Sequence, residues 1–181
     1  MTIAADSLPN DVLRGDTEWR LDIAFNADAT RAGKECIFGN GDGNNNRFDV
    51  MLNSDGTMAI GDGGRLGSGW TADTDWLLTI ESYFDASDWR FVAYRNGVVV
   101  NNIVWAGTNV ALSNIYIGHD GGDRYFTGTV RAVRIGNKAV HRGVAFTPEP
   151  QPWLPPAKAI VPVGVSELAD LLIATGKFSG A

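Results

Sequence analysis

Residues Trp89-Arg90-Phe91-Val92-Ala93-Tyr94-Arg95-Asn96-Gly97-Val98-Val99-Val100 decide the fold class. Two runs rich in β-branched and aromatic residues flank Asn96-Gly97. A two-residue type I′ turn needs positive φ at both central positions, and Asn followed by Gly accepts that most readily. The twist of such a turn matches the twist of the strands it joins. The stretch therefore predicts an antiparallel hairpin, and its neighbours should be strands that pair with it.

The flanking sequence agrees. Thr17 to Asn26 alternates, with Trp19, Leu21, Ile23 and Phe25 on one side and Arg20, Asp22 and Asn26 on the other. Period two with one apolar face is a half-buried strand. Cys36 and Phe38 begin another. Arg47 to Leu52 puts Phe48, Val50 and Leu52 on one face, Ser54-Asp55-Gly56-Thr57 turns, and Met58 and Ile60 return. Trp76 to Phe84 is a long strand broken by Asp85-Ala86-Ser87-Asp88. Ile115 and Ile117 mark a short one. In Tyr125 to Ile135, Phe126, Gly128 and Val130 share one parity and Val133 and Ile135 the other, so a bulge near Arg131–Ala132 is expected.

Composition narrows the function. The 181 residues fit one domain with or without a tail. Net charge is −6, there is no Lys/Arg run, and a nucleic-acid partner or an anionic membrane surface is not expected. No stretch approaches 18 apolar residues. Met1 to Arg20, with Asp6, Asp11 and Asp16, does not read as a secretory signal. The single cysteine, Cys36, has no internal partner and sits in an apolar context that suits burial.

The character of the chain changes at Thr147. Six of the seven prolines lie between Pro148 and Pro162. Proline donates nothing to a ladder, so an extended arm is expected there, anchored by Trp153 and Leu154. Leu168, Leu171, Leu172 and Thr175 then recur at helical spacing after a Ser166 N-cap, which predicts a short terminal helix ending near Phe178. The expected organisation is an all-β, two-sheet antiparallel sandwich over residues 1–146, followed by a Pro-rich C-terminal arm and helix over 147–181.

Three stretches resemble the concanavalin A-like jelly-roll superfamily in its laminin-G-like branch. They are Trp19 to Phe25, Arg47 to Met58 with its Asp-Gly turn, and Trp89 to Val100 followed by Ile115-Tyr116-Ile117-Gly118 and Phe126 to Asn137. The resemblance covers residues 17–146 and rests mostly on core and turn positions. It therefore speaks to fold more than to function. It implies a jelly roll in which Asn96, Gly97, Gly118 and Gly128 are structural.

Hydrolases similar to this fold carry a Glu-x-Asp-x-x-Glu strand, because cleaving a sugar bond takes two flanking carboxylates. The five glutamates, Glu18, Glu35, Glu81, Glu149 and Glu167, begin no such motif. There is no Gly-x-Ser-x-Gly elbow, no phosphate loop and no zinc spacing for His119 and His141. The expectation is a non-catalytic protein that requires no cofactor.

Binding signals lie in the loops. Asp42-Gly43-Asn44-Asn45-Asn46 starts like a calcium loop, then departs from it at Arg47 and Asn53. Laminin-G-like relatives can hold Ca2+ on a rim, which would fall to Asp42, Asp120 and Asp123. Solvated turn residues are the competing reading. A glycan would need an aromatic face beside amide and carboxylate partners, and Asn44, Asn46, Trp70, Trp105, His119, Asp120, Asp123 and Tyr125 offer that set. Core packing competes for both tryptophans. Trp153, Leu154, Leu168, Leu171, Leu172 and Phe178 form the expected partner-binding arm, with docking on the chain's own sandwich as the alternative.

The resulting expectation is a non-catalytic structural or binding protein, and within that class a bacteriophage virion component, a capsid decoration or tail protein. Its partners would be other virion subunits or further copies of itself, together with cell-surface glycan. A secreted, extracellular carbohydrate-binding module is the alternative, and a glycan-cleaving enzyme stands third.

Overall fold

The computed structural model describes residues 1–3, 13, 16–29, 33–40, 48–60, 64–68, 70–104, 114–122, 124–148, 170–174 and 177–178. Among the described residues, thirteen strands form two antiparallel sheets. The first sheet contains β1 (Thr2–Ile3), β3 (Glu35–Asn40), β4 (Phe48–Leu52), β5 (Thr57–Ile60), β6 (Gly64–Ser68) and β10 (Ile115–Ile117), in the order β1-β10-β3-β4-β5-β6. The second contains β2 (Trp19–Ala27), β7 (Asp75–Asp85), β8 (Asp88–Arg95), β9 (Val98–Val104), β11 (Gly128–Gly136), β12 (Asp170–Ala174) and β13 (Lys177–Phe178). Its order is β12-β11-β2-β7-β8-β9, and β13 also pairs with β11. The all-β, two-sheet sandwich is as the sequence predicts.

The alternating residues build the core. Trp19, Leu21, Ile23 and Phe25 of β2 face Phe48, Val50 and Leu52 of β4 in one buried cluster. Trp19 meets Phe48 and Phe91 edge-on, with centroids 5.2 Å away in both cases. Such pairs add roughly 0.5–1.5 kcal/mol each beyond the area they bury. Phe25 and Phe126 make a similar contact near the opposite end.

The turns follow their chemistry. Asn96 has φ 48° and Gly97 φ 80°, the two positive angles a type I′ hairpin requires. Asn96 also uses its side-chain oxygen to accept the Leu77 N–H at 2.8 Å, which ties the turn to β7. The predicted bulge lies in β11, where the register against β2 shifts between Val130 and Ala132. The extra residue lets Val130, Val133 and Ile135 all reach the core.

The terminal helix is corrected. Asp170–Ala174 is a strand, with Leu171 opposite Ile135 and Leu172 opposite Arg134 in the β11 register, and Lys177–Phe178 pairs with Thr129 and Gly128. Leu171-Leu172-Ile173 is a short apolar run, and periodicity alone does not separate a strand from a helix in such a run. A helix of about ten residues is marginal in isolation, whereas the open side of β11 offers a row of unpaired backbone groups. The ladder prevails. Trp153, Leu154 and Leu168 lie outside the described residues.

Residues 137–148 leave β11 and cross the outer face of the second sheet as a strap. The Glu81 carboxylate, fully buried on β7, accepts the N–H groups of Val140, His141 and Arg142 at 2.8 to 3.1 Å and the Tyr94 hydroxyl at 3.1 Å. Tyr94 in turn accepts the Gly143 N–H at 2.6 Å. Phe146 stacks on His141 with centroids 3.6 Å apart, and its N–H donates to the Gly97 carbonyl at 2.8 Å. The strap covers Tyr83, Val92 and Tyr94, which form a second, smaller apolar cluster.

Candidate functional site

β10 places the site. Ile115 and Ile117 point into the core, so the alternation directs Tyr116 to the outer face of the first sheet. The chain then reverses. Gly118 donates to the Ile37 carbonyl at 2.8 Å, Phe126 donates to the Gly118 carbonyl at 2.9 Å, and His119 bridges Tyr125. The loop between them folds down onto the sheet. A methyl group on Gly121 would lie 2.8 Å from the Tyr116 ring, and one on Gly39 would meet Asp49 Oδ1 at 3.1 Å and Asp120 Cα at 3.2 Å.

Three rings follow one another across this loop. Tyr116 and His119 have centroids 5.0 Å apart at a tilt of 55°, and His119 and Tyr125 are stacked at 5.9 Å and 23°. Tyr125 ends the series and is 43% exposed. Asp120, in the same loop, is buried. Its Oδ1 accepts the N–H groups of Gly122 at 2.9 Å and Arg124 at 3.4 Å, and its Oδ2 lies 3.6 Å from Arg124 Nε. Arg124 reaches on to the Met51 sulfur at 3.5 Å.

The protonation state of His119 follows from its contacts. Its Nδ1 accepts the Gly121 N–H at 3.1 Å, which leaves the proton of the neutral ring on Nε2. Burial lowers its pKa, the Met1 ammonium lowers it further, and Asp120 opposes both. The site thus offers an exposed phenol face, an imidazole and a guanidinium fixed by a buried carboxylate. That arrangement suits stacking and hydrogen bonding.

The structure therefore brings together His119, Asp120 and Tyr125 of the predicted set. Trp70 lies apart from them, half-buried and packed against the core. Asp42, Asn44, Asn46, Trp105 and Asp123 lie outside the described residues. Tyr116 and Arg124 were not anticipated from sequence. The alternation of Ile115 and Ile117 already implied that Tyr116 faces away from the core. Among the described residues, no group of three His, Cys, Asp or Glu side chains is arranged to hold a metal ion.

A second polar cluster lies under the strap. Asp22 is buried, accepts the Thr79 hydroxyl at 2.6 Å and pairs with Arg20 at 2.9 Å. Burial raises its carboxyl above the ordinary range, and Arg20 and Thr79 offset part of that. Burial lowers the pKa of His141, against the opposing pull of Glu81. The two groups act on stability with opposite sign. A histidine whose folded pKa is depressed contributes stability that is present above its unfolded pKa of about 6.5 and lost as pH falls below it. A carboxyl whose folded pKa is raised makes the folded state relatively more stable as pH falls through that raised value. Comparing variants isolates the histidine. Between pH 7.5 and 5.5, His141→Gln should gain melting temperature relative to the parent protein. A difference between the two that stays constant across the range would contradict this.

The fold is shared with carbohydrate-binding proteins. The chain is similar to the carbohydrate-binding module of the Ruminococcus gnavus sialidase solved with sialyllactose, at 10% identity and TM-score 0.55, covering 68% of this chain and 77% of that one. It is similar to domain 4 of the Geobacillus stearothermophilus arabinanase AbnA solved with arabinotriose, at 15% identity and TM-score 0.53, covering 72% and 67%. A carbohydrate binding protein from Bacteroides ovatus aligns at 15% identity and TM-score 0.56 over 74% of this chain, which spans 40% of that chain's length. No family model matches the chain, and no curated protein sequence matches it. At these identities the likeness establishes the fold, a two-sheet β-sandwich of the kind found in such modules.

Proposed function

We propose that this chain is a non-catalytic glycan-binding β-sandwich whose binding surface is the loop 118–125 on the outer face of the first sheet. The observation that carries the reading is the stacked series Tyr116, His119, Tyr125, which ends in an exposed ring beside Asp120 and Arg124. A sugar presents C–H groups to such a ring and hydroxyls to the polar groups beside it. The glycan-binding sandwiches among the structural neighbours lend support. Tyr125→Ala should weaken binding of a glycan-array ligand about tenfold by calorimetry, or about 1.4 kcal/mol, while Tyr125→Trp retains it. An unchanged affinity in Tyr125→Ala would remove this surface from the account.

The finer reading places the sandwich on a bacteriophage particle, as a decoration or tail component displayed outward and attached through its C-terminal segment. The acidic net charge of −6 suits a densely displayed surface. Because β12 and β13 pair with β11, attachment is better tested by substitution than by truncation. A Trp153→Ala, Leu154→Ala double variant should lose self-association in light scattering if those residues are anchors. Unchanged association would remove the attachment role.

A further inference from the structure

The strap over residues 137–148 adds no strand to either sheet. Its backbone N–H groups reach the second sheet at the Glu81 carboxylate, the Tyr94 hydroxyl and the Gly97 carbonyl. None of its residues belongs to the main core. Val140 and Val144 are exposed, while Ala139 and Phe146 pack on the small cluster of Tyr83, Val92 and Tyr94. A segment attached in this way opens at lower cost than the sheets beneath it.

His141 sits at the point of attachment. Its ring lies flat on Phe146, with 7° between the planes, and meets Tyr94 edge-on at 5.7 Å. Its Nε2 is buried and has no hydrogen-bond partner among the described residues. In a neutral imidazole one nitrogen carries no proton, whereas in the imidazolium both are donors. The groups around the ring hold no acceptor in reserve. A carboxylate offers about four lone-pair sites, and Glu81 of β7 already accepts from Val140, His141, Arg142 and Tyr94. On β2, Asp22 is engaged by Arg20 and Thr79, and Arg20 lies over the Phe146 ring at 5.8 Å. Arg134 of β11 stands opposite Asp22. Arg142, next in the strap, pairs with Glu18 and covers the Tyr83 ring.

We propose that the strap is an acid-released latch: protonation of His141 frees it from the second sheet and uncovers Tyr83, Val92 and Tyr94 while the sandwich stays folded. This device is independent of where a glycan binds. The added proton either stays buried without an acceptor or takes a Glu81 oxygen from a strap amide. Either course loosens the strap, and Arg20 already occupies the Phe146 ring as its cation. Burial lowers the His141 pKa, Glu81 opposes that, Arg20 adds to it and Asp22 opposes it. The closed strap is therefore favoured above the free histidine value of about 6.5 and weakens as pH falls below it. Asp22, whose carboxyl is raised by burial, acts with the opposite sign, so its titration does not imitate the effect.

The test is amide exchange of the full chain by NMR from pH 7.5 to 5.5, corrected for the intrinsic pH dependence of exchange. It compares the parent, His141→Gln and Asp22→Asn. In the parent the opening constant of amides 140–142 and 146 should rise about fivefold across this range. At every pH these amides should open more readily than those of Ile23 and Ile80, which are fully buried in the sheets. The rise should vanish in His141→Gln and persist in Asp22→Asn. Lost stacking in His141→Gln moves the opening constant equally at every pH, so the slope remains the readout. A flat parent profile, an equal slope in His141→Gln, or a slope lost in Asp22→Asn would overturn the role of His141. Strap amides that exchange in step with Ile23 and Ile80 would overturn the latch, because the strap would then open only on global unfolding.

Discussion

Glu81→Ala should be the most damaging single substitution described here, with a loss of about 3–5 kcal/mol, the range for removing one partner from a buried charged hydrogen-bond set. For a chain of this size that corresponds to a melting temperature lower by roughly 6–20 °C. The carboxylate holds three consecutive strap amides and the Tyr94 hydroxyl. Removing it strands those donors beneath the strap, where water does not replace it readily. Glu81→Gln keeps one acceptor oxygen and should lose less. Amides 140–142 should exchange faster in both variants, before global unfolding. A melting temperature within about 2 °C of the parent for Glu81→Ala would mean that the strap is held by its apolar contacts alone.

Gly97→Ala should come second, at about 3 kcal/mol. Gly97 has φ 80°, where any side chain is strained, and a Cβ there would lie within van der Waals overlap of the Phe146 carbonyl oxygen. Gly56→Ala is the matched comparison. Gly56 has φ 78° with nothing within 4 Å of the added carbon, so it should lose only the backbone strain, about 1 kcal/mol. The difference between the two measures how tightly the strap is seated on the β8–β9 turn. Faster exchange of the Phe146 amide in Gly97→Ala should accompany it. Equal losses in the two variants would show that the strap yields without resistance.

These two positions also show what a linear reading of the chain captures. Asn96-Gly97 was legible because turn chemistry is local, and so was the bulge in β11, because the change of parity between Val130 and Val133 admits few other solutions. Glu81 was not legible as a buried anchor. It alternates with Ile80 and Ser82 as any solvent-facing strand residue would, and it is buried only because the strap crosses that face. The C-terminal strands were missed for a related reason. Leu171-Leu172-Ile173 fits helix and strand spacing alike, and the choice is made by the free side of β11, more than thirty residues away in sequence.

The candidate site divides in the same way. His119, Asp120 and Tyr125 stood out as ring and carboxylate residues in a glycine-rich loop. Their mutual stacking was not readable, because it requires the loop to fold back over Gly39 and onto Tyr116.

The central claim is that this sandwich binds glycans without cleaving them. The most direct measurement applies the labelled full chain to an array of neutral and acidic glycans, then incubates the bound glycans with it in solution and analyses them by mass spectrometry. The account predicts reproducible binding to a related group of glycans, with every one recovered at its original length. Absence of binding across the array, or recovery of shortened glycans, would contradict it.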